Sequence, residues 1–316
     1  MKTVILDSGT MGNDLDFSVL EEFGDVEVFH SSTPEEIKQR TCGKDVVLIN
    51  KLKMNESTLG ADTKIKLICV FATGFDNIDL NFCKKHGIAV CNVAGYSTTS
   101  VAQLTVLAAL SLVNRISTYN KHVRSGEYTL GGKANKLEPV YHEIAGMTWG
   151  IAGYGNIGKA VGKVAEALGC KVIAFKRTPD KNTETVTLDE LCERSDIISL
   201  HLPLSDATRG IIGEKQMEKM KDGAILVNMA RGAVTDEKAV AEAVKRGKLG
   251  GFASDVYSVE PFPKEHPFYE IKDMDNVLLT PHMAWGAYEA RVRCLNEICK
   301  NIRSFIAGQT RNRVDK

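Results

Sequence analysis

Two doubly wound α/β units, each built on a parallel sheet, are the fold class predicted by this 316-residue sequence. Three observations carry the prediction. Short apolar runs alternate with helix-forming stretches from end to end, the pattern of parallel sheets covered on both faces. A second, complete series of such runs begins at Trp149 and opens on the glycine-spaced turn GYGNIG at 153–158. The length is also enough for two sizeable cores.

In the first series the strand-like runs are 3–7, 26–30, 45–50, 66–72 and 88–93, with helical patterns such as 34–40 between them. A long helix then opens on a capping box, Ser100 with Gln103 three residues on. It is apolar almost all round, which predicts burial between the units. The second series places strands at 149–152, 171–175, 196–200, 224–228, 251–255 and 277–280, and a helix capped by Thr187 with Glu190 behind it. Six strands complete a dinucleotide-binding fold. The last helix, about 287–307, is expected to return to the N-terminal unit, leaving two crossings that form a hinge. The expected domains are 1–99 completed by 287–316, and 100–286. The loop 126–146 is the least regular stretch and a candidate for subunit contacts.

In the glycine turn, Gly153 permits a tight bend, Gly155 leaves bare backbone for a pyrophosphate, and Gly158 lets the helix pack closely on the strand. The first N–H groups of the following helix, with its dipole, favour an anion there. Glycines also mark plain turns. A strand before, a helix after and a second strand at 171–175 decide for a dinucleotide.

Composition excludes several classes. Forty Lys and Arg balance forty Asp and Glu, so the electrostatic footprint of a nucleic-acid binder is missing. Eight scattered cysteines contain no C-x-x-C pair, which argues against a structural zinc site or a disulfide framework, and no metal is expected. They read as small buried hydrophobes in a reducing compartment. The N-terminus enters a strand pattern directly, and the most apolar segment, 101–113, is too short to span a bilayer. A cytoplasmic protein without membrane or nucleic-acid partners is expected.

Ligands in such folds sit outside the carboxyl ends of strands. Three segments there carry chemistry: NMARGAVTDE with Arg231, SDVYSVEP with Asp255 and Glu260, and LLTPHMAW with His282. Singly, an arginine at a strand end is a solvated group, a glutamate before proline a loop residue, and a lone histidine structural. At the ends of consecutive strands of one dinucleotide fold they form a site.

These segments, together with GYGNIG, HLPLSDATRG, ATGFDNIDL and NVAGYSTTSVAQ, resemble the D-isomer-specific 2-hydroxyacid dehydrogenases over nearly the whole chain. Asn50 and Lys51, ATGFDNID and PHMAW look most like the glycerate dehydrogenase (hydroxypyruvate reductase) branch. The resemblance implies a Rossmann cofactor domain inserted in a flavodoxin-like substrate domain, and a homodimer formed through the helix from Ser100 and the loop after it. It implies a small 2-oxo or 2-hydroxy acid substrate. Arg231 would fork onto its carboxylate and C2 oxygen and polarise the carbonyl. His282 would exchange a proton with that oxygen, and Glu260 would bond the other ring nitrogen. Thr73 and Gly74 would offer backbone N–H groups to the carboxylate, and Trp285 would wall the substrate pocket, its plainer reading being a core aromatic. Gly153, Tyr154, Gly155, Asn156, Ile157, Gly158, His201, Pro203, Thr208, Met229, Ala230, Arg231 and His282 would line the cofactor. Asp255 would hold the carboxamide of its nicotinamide ring.

One departure is informative. NAD-using members place an acidic residue after the second strand of the cofactor domain, on the ribose 2′-hydroxyl. Here that place falls at Lys176, followed by Arg177 and Thr178, with no acidic residue before Asp180. A cationic, hydroxyl-bearing turn suits a 2′-phosphate, so NADPH is favoured and NADH is the alternative. A D-lactate-type or longer-chain dehydrogenase and a non-catalytic, nucleotide-sensing co-repressor are the competing functions.

Overall fold

In a computed structural model, which describes residues 1–179 and 181–316, the chain divides into two compact units. Asp180, the first acidic residue after the basic turn, lies outside the described residues. One unit comprises Met1–Ser97 with Gly286–Lys316, the other Thr98–Trp285.

The first unit holds β1 (Thr3–Ile5), β2 (Val26–Val28), β3 (Val46–Ile49), β4 (Leu67–Val70) and β5 (Ala89–Cys91). All pairings are parallel and the order is β2-β1-β3-β4-β5. Every residue of β3 and β4 is buried, which is why these strands read as unbroken apolar runs. Each strand is shorter than its apolar run, because core-facing side chains continue into the turns after ladder pairing has ended. The helix Tyr288–Ile306 belongs to this unit and packs on β4. Its fully buried Asn301 donates to Asn92 O at 3.0 Å. The C-terminal residues extend the sheet beyond β5, with Val314 N donating to Val90 O at 3.0 Å.

The second unit holds β6 (Thr148–Ala152), β7 (Lys171–Phe175), β8 (Glu184–Thr185), β9 (Ile197–Leu200), β10 (Ala224–Asn228), β11 (Leu249–Ser254) and β12 (Val277–Leu279). Their order is β12-β11-β10-β9-β6-β7-β8, all parallel, so the order reverses between β6 and β9. The two-residue β8 was not expected, for it carries no apolar run and exists only through its pairing with β7. One apolar cluster fills each face of the sheet.

The long helix starts at Thr98, two residues before its expected cap. Ser100 therefore lies inside its first turn, with its hydroxyl donating to Ala284 O at 2.5 Å. The helix buries seven residues against the helix Asn156–Ala167 and β10–β12, and leaves Leu107 exposed. No single helix among the described residues is long and apolar enough to cross a membrane. All eight cysteines are free; seven are buried and only Cys42 is exposed.

Candidate active site

The glycine turn connects β6 to the helix Asn156–Ala167. Gly153 sits at φ +97°, where a side chain would be strained, and its N–H donates to Phe175 O at 2.9 Å. A Cβ there would run into the backbone of His201 and Leu202. Gly158 is buried, and a Cβ on it would collide with Gly153 O. Gly155 differs: it is exposed, and a Cβ on it would meet nothing within 4 Å. Beside it the helix starts with Asn156 exposed and Ile157 half-buried, uncapped by any side chain from Gly155. Tyr154 is buried, its hydroxyl accepting from Thr183 Oγ1 at 2.9 Å.

The carboxyl end of β9 faces the same turn. His201 N donates to Ala152 O at 2.7 Å, while both ring nitrogens are buried without a partner among the described residues. Burial drives the ring pKa down to about 3, so the imidazole is neutral. A buried group with unmet hydrogen bonds costs free energy, and so marks a place for a ligand. Two residues on, Pro203 is exposed, and Thr208 closes the turn by donating to Pro203 O at 2.6 Å. The Thr208 hydroxyl is thus engaged within its own loop. Lys176, Arg177 and Thr178 follow β7 directly, Lys176 half-buried and the other two exposed. The bend, the open face of Gly155, the uncapped helix start and the orphaned imidazole together fit a dinucleotide.

The candidate catalytic side chains follow β10, β11 and β12. Asn228, buried at the end of β10, shapes the turn after it: Ala230 N donates to its side-chain oxygen and its amide donates to Arg231 O, both at 3.0 Å. Met229 and Ala230 are buried within that turn. Arg231 is half-buried, and its guanidinium donates to Ala230 O at 2.8 Å. Gly232 follows because its Cβ would run into the Tyr257–Ser258 backbone. His282 has φ +52°, a left-handed conformation rare outside glycine and concentrated at functional sites. Its Nδ1 pairs with Glu260 at 2.6 Å, and the other oxygen of Glu260 accepts from Tyr257 N at 3.0 Å.

Asp255 keeps the histidine turn in that conformation. It accepts from Thr280 Oγ1 at 2.6 Å and from the N–H groups of Met283 and Ala284, both at 2.8 Å. Burial raises its carboxyl above the usual range against the pull of these bonds. Both oxygens of Asp255 thus accept from the 280–284 turn. Trp285 packs half-buried against the apolar cluster of the long helix.

In the first unit, Thr73 and Gly74 follow β4. Thr73 donates its hydroxyl to Val93 O at 2.9 Å, and its carbonyl accepts from Asn92 Nδ2 at 2.7 Å. At the ends of β1 and β3 stands a group that sequence reasoning missed. The buried Asp7 carboxylate accepts from Asn50 N at 2.9 Å and Lys51 N at 2.7 Å. Desolvation raises its carboxyl above the usual range, with those backbone bonds opposing. Nothing in the run VILDSG separates such an aspartate from a solvated turn residue.

Comparison with known proteins agrees with this geometry. Residues 106–284 match the family model for the D-isomer specific 2-hydroxyacid dehydrogenase NAD binding domain. The glycerate dehydrogenase of Methylorubrum extorquens is 37% identical over 99% of this chain and 99% of its own. The hydroxypyruvate reductase of Blautia hydrogenotrophica is 34% identical over the full length of both chains. Among solved structures, an acyclic imino acid reductase in complex with NADPH and D-Arg superposes with a TM-score of 0.86 at 31% identity, covering 99% of this chain and 100% of that one.

Proposed function

The chain belongs to the D-isomer specific 2-hydroxyacid dehydrogenases, and from that premise we propose that it reduces small 2-oxo acids, hydroxypyruvate and glyoxylate first, to D-2-hydroxy acids. One observation carries the chemistry: a histidine held in a left-handed turn with its Nδ1 on a carboxylate, in the same unit as the arginine turn and the glycine turn.

Each residue then has a task. The nicotinamide, when bound, supplies the hydride. Because Glu260 accepts a hydrogen bond from Nδ1–H of His282, Nε2 is the nitrogen left to give a proton to the carbonyl oxygen and to take it back in oxidation. Arg231 forks onto the substrate carboxylate and polarises the C2 oxygen. Asn228 and Gly232 fix the turn that carries Arg231, and Asp255 fixes the turn that carries His282. In the first unit, the backbone N–H groups of Thr73 and Gly74 are the carboxylate donors; in the second, Trp285 contributes to substrate selection.

The glycine turn, His201 and the turns around Pro203, Thr208, Met229 and Ala230 hold the dinucleotide. NADPH is the preferred form, because Lys176, Arg177 and Thr178 occupy the place of a ribose-binding carboxylate. A homodimer is supported by Ile116, Val123, Leu130, Leu137 and Val140, each more than half exposed within one stretch of chain. A cytoplasmic setting is supported by eight unpaired cysteines.

The deciding experiment is oxidation of NADPH and NADH with a panel of hydroxypyruvate, glyoxylate, pyruvate and longer 2-oxo acids. Turnover highest on the first two is expected. Tight cofactor binding without turnover on any of them would overturn the enzyme in favour of a nucleotide sensor.

A further inference from the structure

Glu260 sits in a long irregular stretch between β11 and the short turn Pro267–Tyr269, yet it must hold His282 to a fraction of an ångström. Three things pin that stretch. Tyr257 donates its hydroxyl to Thr280 O at 2.8 Å. Tyr257, Phe262, His266 and Phe268 cluster, mostly edge to face, with neighbouring ring centroids 4.7–6.2 Å apart. The third is a carboxylate from outside the loop. Glu237, first residue of the helix Glu237–Lys245, accepts from Ser258 N at 2.8 Å, from Ser258 Oγ, and from His266 Nε2 at 2.9 Å.

The histidine's state follows from its other nitrogen. Phe268 N–H donates to His266 Nδ1 at 3.2 Å, so Nδ1 offers its lone pair and Nε2 carries the proton toward Glu237. The pair is nearly dry, with side chains 5% and 9% exposed. Residues 258 and 266 are therefore tied to the two oxygens of one carboxylate, closing the loop that contains Glu260. The same carboxylate lies six residues after Arg231, whose neighbour Gly232 packs directly on the Tyr257–Ser258 backbone.

We propose that Glu237 is a positioning residue for the reaction: through Ser258 and His266 it sets Glu260 against His282, and ties that pair to the Arg231 turn. The inference rests on the catalytic roles given above to Glu260 and His282. Two carboxylates face His282: Glu260 through its Nδ1 and Asp255 from the end of β11, and Asp255 is held by bonds that do not involve Glu237. Losing Glu237 therefore loosens the first and leaves the second in place.

The test compares pH profiles of kcat/KM for hydroxypyruvate reduction in wild type, E237A, E260Q, the double variant and H266Q, with thermal melts alongside. Reduction needs the protonated imidazole, so the rate falls along an alkaline limb. Removing the Glu260 charge is expected to move that limb to lower pH. E237A is expected to move it the same way by about 0.5 unit or more, and to add nothing in the E260Q background, as coupled residues do. H266Q keeps an N–H donor for Glu237 and is expected to keep the wild-type limb. If E237A does not fold, E237Q, which loses the bond to His266 but fills the same space, carries the test with a smaller shift in the same direction. A folded Glu237 variant with an unmoved limb, or a shift that adds to that of E260Q, overturns the proposal. An unmoved limb in E260Q itself overturns instead the roles given to Glu260 and His282.

Discussion

The carboxyl edges of the two sheets spend their polar groups differently. In the first unit, the buried carboxylate of Asp7 is satisfied by the N–H groups of Asn50 and Lys51. In the second, the edge near β6 and β9 leaves two buried imidazole nitrogens unmet and an open face at Gly155. Toward β10–β12 the second edge changes character again: Asn228, Asp255 and Glu260 are all engaged in holding backbone or His282. A surface that awaits a large ligand carries unmet groups, whereas one that must aim a few atoms satisfies its groups internally. The free-energy cost of an unmet group is met on binding; that of an aimed group is met on folding.

The largest effect tests the aimed part. Arg231→Lys and His282→Ala should each lower kcat/KM by roughly 10²–10⁴-fold with little change in melting temperature. Near-normal turnover by His282→Ala on every substrate the wild type uses would place the proton donor elsewhere.

The awaiting part is tested by cofactor choice. A charge-assisted bond contributes about 1.5–3 kcal/mol, or roughly 10- to 100-fold in affinity. NADPH should exceed NADH by at least about tenfold in catalytic efficiency, and Lys176→Asp with Arg177→Ala should reverse that order. Steady-state kinetics with both cofactors at one pH and salt decides it; a wild type that uses NADH equally well ends the assignment.

Gly155 and Gly158 sharpen the contrast inside one turn. Gly155→Val should melt like wild type, because its side chain enters open space, yet bind cofactor at least about tenfold more weakly. Gly158→Ala should instead lower stability by about 1–3 kcal/mol through overpacking. Calorimetry and cofactor titration on both variants give the comparison, and a Gly155→Val variant with unchanged affinity would show that the open face is not the ligand's.

The smallest effect concerns acid. His201 has a folded pKa near 3 against an ordinary 6.5, so its stabilising contribution is present above pH 6.5 and is lost as pH falls toward about 3. The slope is at most about 1.4 kcal/mol per pH unit. Asp7 has the opposite sign: its raised carboxyl contributes stability below the ordinary 3.8 that is lost as pH rises through the folded value. Denaturant melts of His201→Gln between pH 4 and 7 should therefore be flatter than wild type. An unchanged slope would mean that the ring is protonated in the folded state.

Much of this was legible in the chain. Buried parallel strands are apolar on both faces, so eleven of the twelve stood out as runs; β8 did not, because Glu184 and Thr185 have only their ladder partners to define them. Ser100 and Gln103 matched a capping pattern, but the helix was free to begin two residues before that cap, at Thr98. The glycine turn was legible because each glycine answers a steric demand. The tie made by Glu237 and the backbone partners of Asp255 were not, since an acidic residue at a helix start or a strand end has several ordinary uses. Only the fold reveals that the Asp255 oxygens are taken by the 280–284 turn and those of Glu237 by Ser258 and His266.

One exposed thiol beside seven buried ones makes the molecule its own reporter. Cys42 should react with a maleimide or an aromatic disulfide at the speed of a free thiol, so a single dye or spin label can be attached without mutagenesis. The remaining seven react only when their surroundings open. Cys69, Cys83, Cys91, Cys294 and Cys299 time the opening of the first unit, and Cys170 and Cys192 that of the second. Mass spectrometry of a slow alkylation would rank the two units by kinetic stability in one tube.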